Sequence, residues 1–252
     1  MKNVTIKNIT IGEGIPKICI PVVGKSESDI ITSANKAKDF NPDLIEWRAD
    51  WYDDVFDRTL TFEILKKLRD IFCDIPLLVT FRTKKEGGEK EISKEAYKDF
   101  TCFIANSQLA DMIDVEIFTG DDIVSEIINV AHSNGVYVIA SNHDFDATPS
   151  HEEIVNRLIK MQKLDADITK IAVMPTSRED VLTLLSATAD MYENHADRPL
   201  ITMSMSSLGM ISRISGETFG SSVTFGSAGN ASAPGQIAAA DLKLILSAIH
   251  NE

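Results

Sequence analysis

Residues 137–174, YVIASNHDFDATPSHEEIVNRLIKMQKLDADITKIAVM, read as strand, helix, strand. YVIASNHD (137–144) and ITKIAVM (168–174) are short runs of β-branched and small apolar residues. Between them, Ser150-x-x-Glu153 has the pattern of a capping box, and Ile154, Leu158 and Met161 follow at helical spacing. Two strands joined by one helical crossover run parallel. The unit recurs outward in both directions. KICIPVV (17–23), DLIEWRAD (43–50), PLLVTFR (76–82) and MIDVEIF (112–118) precede it, and PLITMSMS (199–206) and SVTFGSA (222–228) follow. The strand starts run from 17 to 222, which is 205 residues over seven intervals, or about 29 per unit. That length suits one βα module with its loops. Ser177-x-x-Asp180 ahead of Val181, Leu184 and Leu185 signals a second capped helix, and Asn134-Gly135 closes the helix that starts near Asp121.

Eight such units in 252 residues predict an α/β fold, a (β/α)8 TIM barrel, in one domain over residues 1–252. An open doubly wound sheet is the rival. It would carry a G-x-G-x-x-G loop after its first strand, and this chain has none there. Ahead of the first barrel strand, the alternation of Val4 and Ile6 with Ile9 and Ile11 predicts a hairpin that closes one end of the barrel.

Composition limits the function. With 25 Lys+Arg against 38 Asp+Glu, the net charge is −13, which argues against nucleic acid and anionic membrane, since both bind through excess cations. The three cysteines, Cys19, Cys73 and Cys102, are too few and too scattered for a disulfide framework. No apolar leader opens the chain, and its longest uncharged stretch, Thr218–Ala240, is crowded with Gly, Ser and Thr. A cytoplasmic enzyme is the expectation.

Barrel enzymes act at the C-terminal ends of their strands, and ionisable groups gather there in this sequence. Glu46 and Arg48 share one face of their strand, while Ile45 and Trp47 take the other. Arg82 ends the third strand, and the loop after it holds Glu86. His143 ends the fifth strand, Lys170 lies inside the sixth, and Arg213 follows the seventh. The eighth opens into GSAGNASAPGQ, with Ser232 and Gln236. Taken singly, a Glu or Arg here is ordinarily an ion-pair partner, and Met203 and Met205 are ordinarily core or pocket wall. Lys170 resists that reading, because a lysine buried in a strand is seldom unpaired and desolvation favours its neutral form. Such a lysine suits imine formation with a carbonyl substrate. Arg48, Arg82 and Arg213, if they converge, would supply cations that lower its pKa and hold a carboxylate or phosphate. His143 would then shuttle protons, and Glu86 would orient it.

The motifs DLIEWRAD, PLLVTFRTKKEGGE, SNHDF, KIAVM, ITMSMSSLGMISRISGE and ASAPGQI, in this order over essentially the whole chain, resemble the type I 3-dehydroquinate dehydratases of the shikimate pathway. The resemblance implies a homodimeric barrel that uses neither metal nor cofactor. It would convert 3-dehydroquinate to 3-dehydroshikimate by syn elimination of water, the third step of chorismate biosynthesis. It further implies that Lys170 forms the Schiff base, His143 is the general acid and base, and Glu86 positions it. Arg213, Ser232 and Gln236 would grip the substrate carboxylate and close over it. Glu46, Arg48 and Arg82 would bind ring hydroxyls and shape the charge around the imine, with Met203, Met205 and Phe225 lining the pocket. Two positions depart from the family pattern. Pro21 ends the first strand in place of a small polar residue, and Gly229-Asn230 stands in place of a basic residue. A class I aldolase, or a barrel that has lost catalysis and only binds a carboxylate metabolite or a partner, are the alternatives.

Overall fold

The computed structural model describes residues 3–229 and 233–250. A hairpin comes first: β1 (Val4–Ile6) pairs antiparallel with β2 (Ile9–Ile11). The barrel strands follow as β3 (Lys17–Val22), β4 (Leu44–Arg48), β5 (Leu77–Thr80), β6 (Met112–Glu116), β7 (Tyr137–Asp144), β8 (Ile168–Val173), β9 (Leu200–Ser204) and β10 (Val223–Ser227). They pair in parallel in chain order from β3 to β9, and β10 returns to pair with β3. Between β9 and β10 a Leu200–Ser221 bridge and a hydrogen bond from Ser222 N to Leu200 O at 2.8 Å complete the circle. A short β11 (Ile237–Ala238) lies parallel to the end of β10.

Crossover helices cover the outside: α1 (Glu27–Lys38), α2 (Arg58–Ile71), α3 (Lys94–Asn106), α4 (Asp121–Ser133), α5 (His151–Lys163) and α6 (Arg178–Asp190). Two short helices, α7 (Ile211–Ile214) and α8 (Gly216–Phe219), lead to β10, and α9 (Ala239–Ile249) follows it. The predicted caps form where the local chemistry allows. Ser177 and Asp180 make both halves of a capping box. Ser150 Oγ caps Glu153 N, but the Glu153 carboxylate turns away to Arg157 at 2.7 Å, so only half the predicted box exists there. Gly135 takes the left-handed conformation after α4, with φ of 71°.

Alternate residues of each strand divide between two cores. Ile45 and Trp47, Val79, Ile113 and Val115, and Ile171 and Val173 face outward and pack under the helices. The inward set begins with an apolar floor of Cys19, Leu44, Leu78, Met112, Ile139, Ile168, Ile201 and Val223. Val4, Ile6 and Ile11 of the hairpin close this floor from below, as the alternation predicts.

Most strands end one or two residues short of the sequence reading: β4 stops at Arg48, β6 at Glu116 and β9 at Ser204. β5 stops at Thr80, because beyond it the Arg82 N–H turns to the Asp50 carboxylate at 3.3 Å instead of a neighbouring strand. Pro21 does not end its strand: it lies buried inside β3, paired in register with Glu46, and lines a surface cleft with Gly229 and Trp51. Asn230 lies outside the described residues.

Candidate active site

Above the apolar floor the barrel interior turns polar. One pleat up, the inward positions are Glu46, Thr80, Asp114, Ser141, Lys170, Met203 and Phe225. One pleat higher, on strand or just past it, come Arg48, Arg82, Glu116, His143, Ala172 and Met205. Among the described residues, the buried charged side chains are Glu46, Arg48, Asp50, Arg82, Glu86, Asp114, Glu116, Lys170 and Arg213. All of them belong to this end. Charges are almost never buried without a partner or a purpose, so this end holds the chemistry.

Lys170 Nζ lies 3.3 Å from Asp114 Oδ2, 3.9 Å from Glu46 Oε1 and 4.7 Å from the centre of the Phe225 ring. Arg82 is held on several sides: Nη2 donates to Asp114 Oδ1 at 2.7 Å, and Nη1 donates to Glu116 Oε1 at 2.9 Å and Ser141 Oγ at 3.1 Å. Arg48 grips Asp50 with two bonds of 2.8 Å. The expected cluster of cations is therefore interleaved with five carboxylates, two of which, Asp114 and Glu46, lie within 4 Å of the lysine nitrogen.

Arg213 is the exception. It is 2% exposed, yet no carboxylate pairs with it among the described residues. Its Nη2 donates to Pro234 O at 3.0 Å, Nη1 contacts Met203 Sδ at 3.7 Å, and Nε has no partner. Burial lowers its pKa to about 10, which still leaves it charged at neutral pH.

Glu86 reaches the site on a tight 3-10 turn, Lys84–Glu86. The two glycines after it make this possible. Gly87 has φ of +83°, and a Cβ there would sit 2.2 Å from the Phe145 ring. A Cβ on Gly88 would meet Arg82 O at 1.9 Å. Glu86 Oε2 then accepts from His143 N at 2.9 Å and lies 3.1 Å from His143 Nδ1. Asn142 Nδ2 donates to Oε1 at 3.3 Å, and Arg157 holds Asn142 Oδ1 at 2.9 Å. Burial pushes the Glu86 carboxyl up to about 8, with Glu116 adding to it and Arg82 opposing. Burial, then the charges of Arg82, Lys170 and Arg48, hold His143 well below the ordinary histidine value.

One cavity of about 50 Å³ joins these groups. It is lined by all the residues singled out from the sequence except Ser232, which lies outside the described residues. The sequence reading passed over Asp114, Glu116, Asp50, Ser141 and Asn142. The signal for two of them was present: Asp114 and Glu116 stand two apart in MIDVEIF and share a face with Met112, as Glu46 and Arg48 do in DLIEWRAD.

A sequence model of the family described as Type I 3-dehydroquinase matches residues 18–252. The chain belongs to the type I 3-dehydroquinase family. It is 53% identical over 249 residues to the 3-dehydroquinate dehydratase of Clostridioides difficile strain 630, covering 99% of this chain and 98% of that one. It is 50% identical over 250 residues to the enzyme of Salmonella typhimurium, covering 99% of each. Among solved structures, the Clostridium difficile type I enzyme, captured with covalently modified comenic acid, superposes with a TM-score of 0.96 at 53% identity, covering 99% and 98% of the two chains. The Enterococcus faecalis 3-dehydroquinate dehydratase gives 0.93 at 41% identity, covering 98% of this chain and 100% of that one. Membership in this type I family sets the aldolase and the binding-only barrel aside. Among the described residues, no helix is long and apolar enough to cross a membrane.

Proposed function

We propose that this hydro-lyase converts 3-dehydroquinate to 3-dehydroshikimate in the shikimate pathway through an imine on Lys170. The observation that carries the reading is that Lys170, the Glu86-bonded His143 and the unpaired Arg213 share one cavity. The amine of Lys170 adds to the C3 ketone, and loss of water leaves a protonated imine that withdraws electrons from C2. His143 removes a C2 proton to give an enamine and returns it to the C1 hydroxyl, which departs as water. Both steps fall on one side of the ring, as a syn outcome requires. The register supports the pairing. Ser141 is level with Lys170 and His143 with Ala172, so the imidazole stands one pleat above the lysine on the next strand, about 6–7 Å along. Water then hydrolyses the product imine.

Arg213 takes the substrate carboxylate, because a buried guanidinium without an anion is otherwise unfavourable. Arg48, Arg82 and Glu46 set the charge and contact ring hydroxyls, and Met203, Met205 and Phe225 form the walls. Gln236 and Ser232 close over the substrate. Ala233 and Gln236 stand at the wall of this cavity, and a carboxylate bound at Arg213 would compete with Pro234 O for its Nη2. The relative captured with a covalently modified acid fits an enzyme that holds acids covalently. The chain acts as one domain in the cytoplasm and pairs with a second copy. Exposed Leu208, Met210 and Ile211 and, on α9, Leu244 offer apolar surface for that pairing.

Borohydride reduction in the presence of 3-dehydroquinate, followed by peptide mass mapping, tests the mechanism. A single adduct on Lys170 is expected. Continued turnover with no trappable adduct would remove the imine from the mechanism.

A further inference from the structure

One carboxylate faces the reacting nitrogen more closely than any group already given a role. Asp114 stands in the middle of β6, its side chain without solvent exposure. Its Oδ1 accepts from Ser141 Oγ at 2.6 Å and Arg82 Nη2 at 2.7 Å, which fixes the carboxylate plane. Its Oδ2 is left to Lys170 Nζ at 3.3 Å. Glu46 is the competitor, but its Oε1 stands at 3.9 Å and already accepts from Thr80 Oγ1 at 2.9 Å. On another side, the face of Phe225 lies 4.7 Å away.

The chemistry gives this geometry a consequence. When an ammonium condenses with a ketone, the products are a protonated imine and water, so the positive charge stays on nitrogen. The number of N–H donors, however, falls from three to one. An ammonium can serve Asp114 and Glu46 together; an iminium must choose. Resting on the Lys170 imine reading, we infer that Asp114 is the counter-ion of the iminium: it keeps the imine nitrogen protonated and, by accepting its one N–H, fixes the plane in which C2 faces His143. Burial alone would push Asp114 toward its neutral form, but Arg82 and Lys170 hold its carboxyl below the ordinary value, so a full negative charge is available.

The groups around the nitrogen allow a clean test. Asp114 faces it from β6, Glu46 from β4, His143 from β7 and Arg82 from beyond β5. The Cys19 thiol lies toward it from β3, and among the described residues β9 and β10 bring Met203 and Phe225, with Arg213 beyond Met203. Asp114→Asn removes the charge and keeps the shape. The measurement is the pH profile of 3-dehydroquinate trapping by cyanoborohydride, which reduces the protonated imine. In the unaltered chain, the Lys170 adduct is expected to form well into the alkaline range. In Asp114→Asn its upper limit should fall by about one to three pH units, the size of shift a lost opposite charge at this distance produces. Glu46→Gln should move it less.

An unchanged profile in Asp114→Asn, or a larger shift in Glu46→Gln, overturns the assignment. Absence of any adduct in the unaltered chain overturns the imine reading itself, and the counter-ion with it. Should Asp114→Asn fail to fold, nitrogen-15 resonances of labelled lysine in the unaltered chain decide the matter. An imine that stays protonated about one to three pH units above the value of a free ketimine supports the counter-ion, and one that loses its proton near that value excludes it.

Discussion

The lower and upper halves of the barrel interior are built by the same strands and face the same axis, but they obey opposite rules. The floor, from Cys19 round to Val223, is apolar, closed by the hairpin and free of buried charge. One pleat higher, the strands supply Glu46, Asp114, Ser141 and Lys170, and nine buried charges cluster from there to the mouth. The floor gains stability from dispersion and dehydration. The upper half gives some of that up for electrostatic organisation, since burying an ion pair is often no better for stability than packing an apolar residue. The shared strands make the division informative: only the inward side chain at each pleat differs. Mutations at the two levels should therefore separate activity from stability.

The largest effects belong to the reacting pair. Lys170→Ala should lose at least about 10⁴-fold in kcat, because no other amine among the described residues lines the cavity. His143→Ala should still form the imine but release product about 10²–10⁴-fold more slowly. Mass mapping after borohydride reduction would then find adduct on Lys170 without turnover. If His143→Ala loses adduct and structure together, the histidine belongs to the scaffold and the division between the two halves is blurred.

Arg213→Met tests the division directly, because stability and activity should move in opposite directions. Losing the carboxylate anchor should lower kcat/KM by about 10²–10³-fold, mostly through KM, consistent with about 2–5 kcal/mol for truncating a buried charge pair. The same change removes a buried guanidinium with no carboxylate partner, so the thermal midpoint of the substrate-free protein should rise. A fall in both would mean that Arg213 is held by interactions that stabilise the fold.

How much of this division could be read from sequence follows from its period. Strand alternation showed that Glu46 and Arg48 turn to one face and Trp47 to the other, and the structure agrees. The GG pair after Glu86 was visible as a motif, but not its reason, which is the contact of Gly87 with Phe145 and of Gly88 with Arg82 O. Asp114 and Glu116 carried the same alternation signal and went unused, because they sit in a run that also reads as an ordinary strand. What no local pattern could convey is pairing across strands. That Arg82 spends its donors on Asp114, Glu116 and Ser141, while Arg213 has no carboxylate among the described residues, depends on register and barrel closure. The four cations do meet at one cavity, but the carboxylates set among them are harder to foresee: those of Arg82 and Lys170 lie some 30 to 60 residues away in the chain.

Leu78→Ala works from the other half. Leu78 belongs to the floor and is 1% exposed. Its truncation should lower stability by about 2–5 kcal/mol, measured by urea unfolding. The folded fraction should keep its kcat, because Thr80 and the residues above it are held by their own hydrogen bonds. A drop in kcat per folded molecule would show that the floor positions the chemistry as well as supporting it.

The smallest expected effect lies at the boundary between proton transfer and structure, in Glu86. With its carboxyl pushed up to about 8 by burial and by Glu116, Glu86 holds a proton at neutral pH, while His143 is neutral. The Glu86 hydroxyl then donates to Nδ1, the imidazole proton sits on Nε2, and Nε2 cannot accept from C2. Once Glu86 ionises it accepts from Nδ1–H, and Nε2 is open. kcat/KM should therefore rise about tenfold as pH climbs through about 8. Stability should move the other way. A carboxyl whose pKa is raised by folding stabilises the fold fully below its ordinary value of 4.5, and that contribution is lost as pH rises to about 8. Glu86→Gln cannot ionise, so both slopes should flatten in it while the Lys170 adduct still forms. If the variant keeps the rise in kcat/KM near pH 8, the titrating group lies elsewhere, and the Glu86–His143 bond is a support for the ring rather than the switch that frees its nitrogen.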